Sequence, residues 1–274
     1  MNIFTTILIE PLANGLILFY KVLGENMGLA IIGFSLFLRF ILNPLTKPYM
    51  ESMKKMREYA PQLEKLKKKH KGDKIKFAQA QADFYKDKGV NPGAGCLPYL
   101  LQIVVLIAFF NVFTRTFAPD VDPTGSFNEL LYDSLKLAPG QQINTGFLYL
   151  NLTRPDIFNV SFLPFPIPGP ILILAAVIQF LSAKVTNPAT KIEEGLAEKT
   201  KGGADDIQVA MQKYMVYTFP IFTLIIGIRF ASGLALYWLV FSLTQAYQQV
   251  RSQGWGELSP WMERLNLIKS VDKK

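Results

Sequence analysis

The twenty-two residues from Met27 to Pro48, MGLAIIGFSLFLRFILNPLTKP, limit what this chain can become more than any other stretch. They are long and apolar enough for a membrane-spanning helix, which needs about 20 such residues to cross roughly 30 Å of hydrocarbon. A lone arginine, Arg39, stands inside the run, with Lys47 the other charge at its end. A central arginine costs about 2.5 to 3.5 kcal/mol on insertion scales, so such residues face protein or trapped water and point to function. A second reading is that Arg39 snorkels. It lies about 12 Å of helix rise before Lys47, and a long side chain covers part of that distance.

The rest of the composition agrees with a membrane setting. Half of the residues are hydrophobic, and the charged ones crowd into a few segments instead of covering a soluble surface. Five spans with their loops account for the length as one polytopic membrane domain, leaving no soluble domain of independent size. The net charge of +8 collects beside the spans, where the positive-inside rule places it, so no direct nucleic-acid specificity is expected. Cys96 is the only cysteine and His70 the only histidine, which excludes an intrachain disulfide and leaves metal chemistry without ligands. No cofactor is expected. The start of the chain shows neither a basic n-region nor an A-x-A-like cleavage site, so no removable signal peptide is expected.

Taken in order, residues 2–23 are apolar but interrupted by Glu10-Pro11, and read as an external interfacial helix because Leu12 to Tyr20 is too short to cross. Gly24-Glu25-Asn26 breaks the chain before span 1, residues 28–46, which Asn43-Pro44 should kink or end. Between Lys47 and Lys88 stand thirteen Lys/Arg against six Asp/Glu. The spacing of Tyr49, Met53, Met56, Ala60, Leu63 and Leu66, and then of Ile75, Ala78, Ala82 and Tyr85, predicts a cytoplasmic helical hairpin over 47–90, closed at Lys71-Gly72-Asp73. Its charges read either as a solvated face touching anionic lipid or as a docking surface for a ribosome, nascent chain or targeting component. The candidate contacts are Lys54, Lys55, Arg57, Lys67, Lys68 and Lys69.

Span 2 covers 96–115, with Gln102 and Asn111 as its polar interior. The loop 116–169 has only Lys136 and Arg154 as cations beyond the span end, which puts it outside; Ser126-x-x-Glu129 predicts a short surface helix within it. Span 3 is 170–186, followed by a cytoplasmic loop 187–212 of mixed charge. Spans 4 and 5, residues 213–229 and 234–250, form a membrane hairpin, and the cytoplasmic tail 251–274 holds an interfacial helix opened by Ser259-Pro260. Loop charges give an outside N-terminus and an inside C-terminus in a cell (cytoplasmic or inner) membrane.

In order along the chain, Arg39 with Pro44-Leu45-Thr46-Lys47, Ser52-Met53-Lys54-Lys55-Met56, Val90-Asn91-Pro92, Gly95-Cys96-Leu97-Pro98, Leu101-Gln102, Thr186-Asn187-Pro188, Phe219-Pro220, and Ser232-Gly233-Leu234 leading to Leu236-Tyr237-Trp238 appear at characteristic spacing. In these marks the sequence resembles the YidC/Oxa/Alb membrane protein insertases, from Glu10-Pro11-Leu12 to Gln248-Gln249. The resemblance implies an all-α fold of five transmembrane helices around a water-filled hydrophilic groove open to the cytoplasm and lipid. It implies that Arg39 is the groove cation, with Ser35, Gln102 and Trp238 lining the groove; members often carry tyrosine where Trp238 stands. Neither the large external domain of some relatives nor a long basic C-terminal tail has a counterpart in this sequence, so the hairpin is the better ribosome contact.

On this reading the protein is an insertase and chaperone, not an enzyme, whose partners are nascent membrane proteins, with a ribosome or targeting receptor, a translocon and anionic lipids as further partners. A polar groove shortens the path by which a client's hydrophilic stretch crosses hydrocarbon, where each unsatisfied backbone group costs several kcal/mol. The rival class is a small-anion transporter using Arg39 as its binding charge. The spans hold no Asp, Glu or His for proton coupling, and no inverted repeat is evident.

Overall fold

In the computed structural model, residues 3–70, 73–90, 97–117, 127–162, 164–186 and 204–265 are described, and helix dominates them. The helices are α1 (Glu10–Val22), continuing a π-helical turn at Thr5–Ile9, α2 (Met27–Lys69), α3 (Lys74–Asp87), α4 (Leu97–Phe117), α5 (Pro170–Thr186), α6 (Ala204–Gly227), α7 (Ser232–Gln253) and α8 (Ser259–Arg264). Two antiparallel two-stranded ribbons interrupt the loop between α4 and α5: β1 (Gly146–Phe147) with β2 (Leu150–Asn151), and β3 (Ile157–Phe158) with β4 (Ile167–Pro168).

Glu10-Pro11 does not break the first helix as the sequence suggests. Pro11 follows the π-helical turn directly, where Glu10 N–H bonds Thr5 O, and this wider winding carries the helix past a residue with no N–H to give. Thr5–Val22 and Met27–Pro48 are therefore the two described helices long and apolar enough to cross a membrane. Shorter apolar helices cover Ile103–Thr114, Pro170–Val185 and Tyr214–Gly227. The expected break at Gly24-Glu25-Asn26 is present: Gly24 adopts φ 77°, and the Asn26 side chain accepts from Leu29 N at 3.1 Å to cap α2. Pro44, by contrast, does not end the helix. Helix α2 runs on through Pro44, Pro48 and Pro61, joining the apolar stretch and the first hairpin arm in one element.

The chain divides into two compact units. The first comprises Met1–Leu42, Tyr99–Gln179 and Pro220–Thr244. Its core takes Leu12, Ala13, Leu16, Ile17 and Tyr20 from α1, Met27, Ala30, Ile31 and Phe34 from α2, Val105, Ala108, Phe109, Val112 and Phe113 from α4, and Leu234, Tyr237 and Trp238 from α7. These recur at helical spacing, one stripe per helix. Helices in lipid are held by close packing rather than by escape from water, so small residues at contacts count. A Cβ on Gly15 would run into the Phe34 ring, and one on Gly233 into the Phe113 ring.

The loop between α4 and α5 is fastened to this unit by polar bonds. Asn14, buried at 4% exposure on α1, donates to Leu130 O at 2.8 Å and accepts from Tyr132 N at 2.7 Å. Tyr20 Oη accepts from Asn144 N at 2.9 Å, and Asn144 O accepts from Met27 N at 3.0 Å at the start of α2. Asp156 takes the first turn of α5: its carboxylate accepts from Leu172 N at 2.9 Å and from Tyr149 Oη at 3.1 Å, while that hydroxyl accepts from Ile171 N at 3.0 Å. At α7, Ser232 N reaches Arg154 O at 2.7 Å and Gly233 N reaches Leu152 O at 3.2 Å. Ser126 lies outside the described residues; Phe127 and Asn128 are helical, a turn follows at Glu129–Leu130, and a 3-10 turn stands at Asp133–Leu135.

The second unit comprises Asn43–Pro98, Phe180–Phe219 and Gln245–Lys274. It contains the hairpin, whose second arm is capped by Asp73 accepting from Lys76 N at 3.0 Å. The arms meet where the Tyr59 ring stands edge-on to Phe84 at 5.9 Å, with Lys88 Nζ 5.5 Å from the Tyr59 ring centre. Here the seam differs from the sequence expectation. Ile75 is 82% exposed, and Ala78 and Ala82 are exposed, while Phe77 is buried at 8%. Phe77 and Phe84, one heptad apart, bury far more area than two alanines, so the larger rings set the inward face. The side chains of Tyr49, Met53, Met56 and Ala60 lie outside the described residues. In the same unit Lys184 sits 5.2 Å from the Tyr217 ring and 5.9 Å from the Phe180 ring at the end of α5.

Candidate functional site

Helix geometry puts Met27, Ile31, Ser35 and Arg39 at successive intervals of four, on one face of α2. That face is the buried one, which carries Arg39 inward to 7% exposure. Its guanidinium lies 4.9 Å from the ring centre of Phe241 on α7. A desolvated cation over an aromatic face is worth about 2 kcal/mol, so the ring offsets part of the cost of burying the charge. The sequence reading missed Phe241. Phe241 stands three residues after Trp238, on the same side of α7, but nothing local in the sequence pairs it with Arg39, about two hundred residues away.

Ser35 is buried, and its hydroxyl donates to Ile31 O one turn back, a bond that satisfies it on its own helix. Trp238 is buried at 2% exposure, and its indole N–H has no hydrogen-bond partner among the described residues. An unsatisfied buried donor costs about 1 to 3 kcal/mol, so this N–H favours any acceptor that reaches it. Beside it Tyr237 stacks on Phe109 of α4 at 4.4 Å and lies 5.9 Å from Phe241. An aromatic wall thus runs from α4 through α7 to the Arg39 guanidinium. The side chain of Gln102 lies outside the described residues. Elsewhere in this unit Thr223 Oγ1 donates to Gln179 Oε1 at 2.7 Å, a buried polar bond between α6 and α5.

On the hairpin, Lys54, Lys55, Lys68 and Lys69 are exposed, and Lys68 pairs with Glu64 at 2.8 Å. The side chains of Arg57 and Lys67 lie outside the described residues. Among the described residues, no group of three or more His, Cys, Asp or Glu side chains is placed to hold a metal ion.

These features define a mostly helical membrane protein with a buried cation on an apolar helix face. The chain matches the family model described as 60Kd inner membrane protein over residues 18–255. It is 32% identical over 224 residues to membrane protein insertase YidC of Fusobacterium nucleatum subsp. nucleatum, covering 82% of this chain and 84% of that protein. It is 34% identical over 229 residues to membrane protein insertase YidC 1 of Streptococcus agalactiae serotype V, covering 82% of this chain and 67% of the relative. With membrane protein insertase YidC of a Jannaschia species it shares 34% over 238 residues, 84% of this chain but 33% of that longer protein. The chain belongs to the YidC/Oxa/Alb family of membrane protein insertases.

Proposed function

We propose that this protein binds transmembrane segments of nascent proteins beside Arg39 and passes them into the bilayer, acting as an insertase and chaperone. The observation that carries the reading is a permanently charged guanidinium held at 7% exposure on an apolar helix face, against an aromatic ring. Such a group attracts an anionic client segment strongly because little water screens it. On this reading residues 28–46, 96–115, 170–186, 213–229 and 234–250 are five spans around a groove open to the cytoplasm, with the N-terminus outside and the C-terminus inside. None of them contains Asp or Glu, so an acidic residue in a client's leading segment brings a carboxylate that the spans themselves lack.

Arg39 supplies charge-assisted hydrogen bonds to that carboxylate, and the Trp238 N–H supplies a neutral donor for a client backbone carbonyl. Gln102 adds side-chain amide hydrogen bonds from span 2. Ser35 keeps its oxygen as an acceptor. Release follows from the client's own chemistry, since central Leu and Ile each gain about 0.3 to 0.6 kcal/mol on entering lipid. The exposed cations Lys54, Lys55, Lys68 and Lys69, with Arg57 and Lys67 beside them in sequence, face a ribosome, targeting receptor or translocon. The relatives named above are insertases, and the anion-transporter alternative finds no support among them.

The test is insertion of a single-span client with a short acidic tail into proteoliposomes, scored by protease protection. Losing a charge-assisted bond worth about 1.5 to 3 kcal/mol should cut insertion at least tenfold in Arg39→Ala, while a neutral tail suffers less. Insertion unchanged by the variant would remove Arg39 from the mechanism. Insertion equal to that in empty liposomes would remove the function for that client.

A further inference from the structure

A cleft of about 440 Å³ lies within the second unit, apart from Arg39. One wall is a stripe of α2, Asn43, Lys47, Glu51 and Lys54; the other is the last turns of α7, Tyr247, Gln248, Arg251 and Ser252. Three cations face one carboxylate across this small volume. Among the described ion pairs, none neutralises Lys47, Lys54 or Arg251. Arg251 Nη1 donates to Tyr247 Oη at 3.1 Å, a neutral partner that orients the guanidinium and leaves its other donors and its full charge available.

We infer that this cleft holds the phosphodiester headgroup of an anionic phospholipid. The charge excess calls for an anion, and a phosphate matches a guanidinium fork with a nearby ammonium. Position selects a lipid over a free ion. The cleft begins where the apolar run of α2 ends, between Asn43 and Lys47, which is the depth of the headgroups if Met27–Pro48 crosses the bilayer. The inference rests on that part of the functional reading. Tyr247, largely exposed, provides the aromatic face common at that depth, and the methylene stems of Lys47 and Lys54 give apolar walls that a lipid's glycerol and first acyl carbons can use. A dissolved phosphate gains nothing from those walls. A bound lipid would tie α2 to α7 at the membrane edge, and cations near an anionic leaflet are attracted to it in any case.

The test is done on the full chain in neutral detergent micelles, with no client present, so it stands or falls separately from insertion. Dioctanoyl phosphatidylglycerol, dioctanoyl phosphatidylcholine, inorganic phosphate and an acidic decapeptide are titrated, and bound molecules are counted by native mass spectrometry. Phosphatidylglycerol should bind at least tenfold more tightly than phosphatidylcholine. The double variant Lys47→Gln with Arg251→Gln should weaken it about 30-fold, from a roughly fivefold effect per cation. Lys47→Arg should retain binding, as should the hairpin control Lys65→Gln with Lys86→Gln. If the double variant does not fold, as judged by its melting curve, Lys54→Gln alone should weaken binding about fivefold. Equal loss in the hairpin control, full competition by inorganic phosphate or by the decapeptide, or no loss in the cleft variants would each overturn the assignment.

Discussion

Replacing Asn14 tests how the loop between α4 and α5 is fastened to the first helix. In Asn14→Ala the Leu130 carbonyl loses its donor and the Tyr132 N–H loses its acceptor, bonds of 2.8 and 2.7 Å. Alanine cannot replace either, and Leu130 is buried, so its carbonyl has little access to water. At about 1 to 3 kcal/mol for each unsatisfied group, with Tyr132 half exposed and so nearer the low end, the loop should be destabilised by about 2 to 4 kcal/mol. That is a roughly 30- to 700-fold increase in local opening. Hydrogen exchange at the Tyr132 amide, measured by mass spectrometry on the reconstituted protein, reads this opening directly. Asn14→Asp should fall between, because it keeps an acceptor for Tyr132 N but loses the donor to Leu130 O. If Tyr132 exchanges at the wild-type rate in Asn14→Ala, the bond pair does not hold the loop and the reasoning is wrong.

Other predictions concern different bonds. Asp156→Ala should lower the melting temperature, at a cost of about 1 to 3 kcal/mol, because the Leu172 N–H and the Tyr149 hydroxyl lose their shared acceptor; an unchanged melting curve would refute its capping of α5. Burial, with the Asp156 charge adding to it, raises the Tyr149 hydroxyl above its ordinary value of 10.0, so this donor stays protonated to at least that pH. Thr223→Val should cost far less, about 0.6 kcal/mol, the average for interhelical hydrogen bonds in membranes; a loss above 2 kcal/mol would mean Thr223 does more than bond Gln179. The backbone N–H and ammonium of Lys76 hold the Asp73 carboxyl below its ordinary 3.8. With the folded value depressed, the cap's contribution is present above pH 3.8 and is lost as pH falls through the folded value. Protection of the Lys76 amide, taken relative to its intrinsic exchange rate at each pH, should therefore fall at low pH in the wild type but stay level over the same range in Asp73→Asn.

The sequence made some features legible because their cause is local. The Gly24 turn with its Asn26 cap needs only neighbouring residues, and Arg39 announces itself by charge in an apolar run. Along the second arm, spacing puts Ile75, Ala78, Ala82 and Tyr85 on the inward face, whereas Phe77 is buried and Phe84 meets Tyr59, because the size of the rings decides the register. Proline does not end a helix at either expected place: Pro11 follows a π-helical turn inside a continuous helix, and α2 runs on through Pro44, which removes one of its hydrogen bonds. The ring beside Arg39 was missed because Phe241 lies about two hundred residues away and no local signal pairs them. Asn14 shows the same limit, since its loop partners stand 116 and 118 residues off.

The bonds that fasten the loop between α4 and α5 use mostly its backbone. Leu130, Asn144, Leu152 and Arg154 contribute carbonyl oxygens, and Tyr132 and Asn144 contribute amides, to α1, α2 and α7. Every amino acid supplies those groups. The loop can therefore drift widely in composition between relatives while keeping its hold on the helix ends. What it cannot vary freely is its residue count between anchor points, since one inserted residue shifts every later carbonyl by about 3.5 Å of chain. Deletion and insertion scanning of 130–154 should thus be far more damaging than substitution scanning. Variation across the family should show the same imbalance: free exchange of side chains over a nearly fixed spacing.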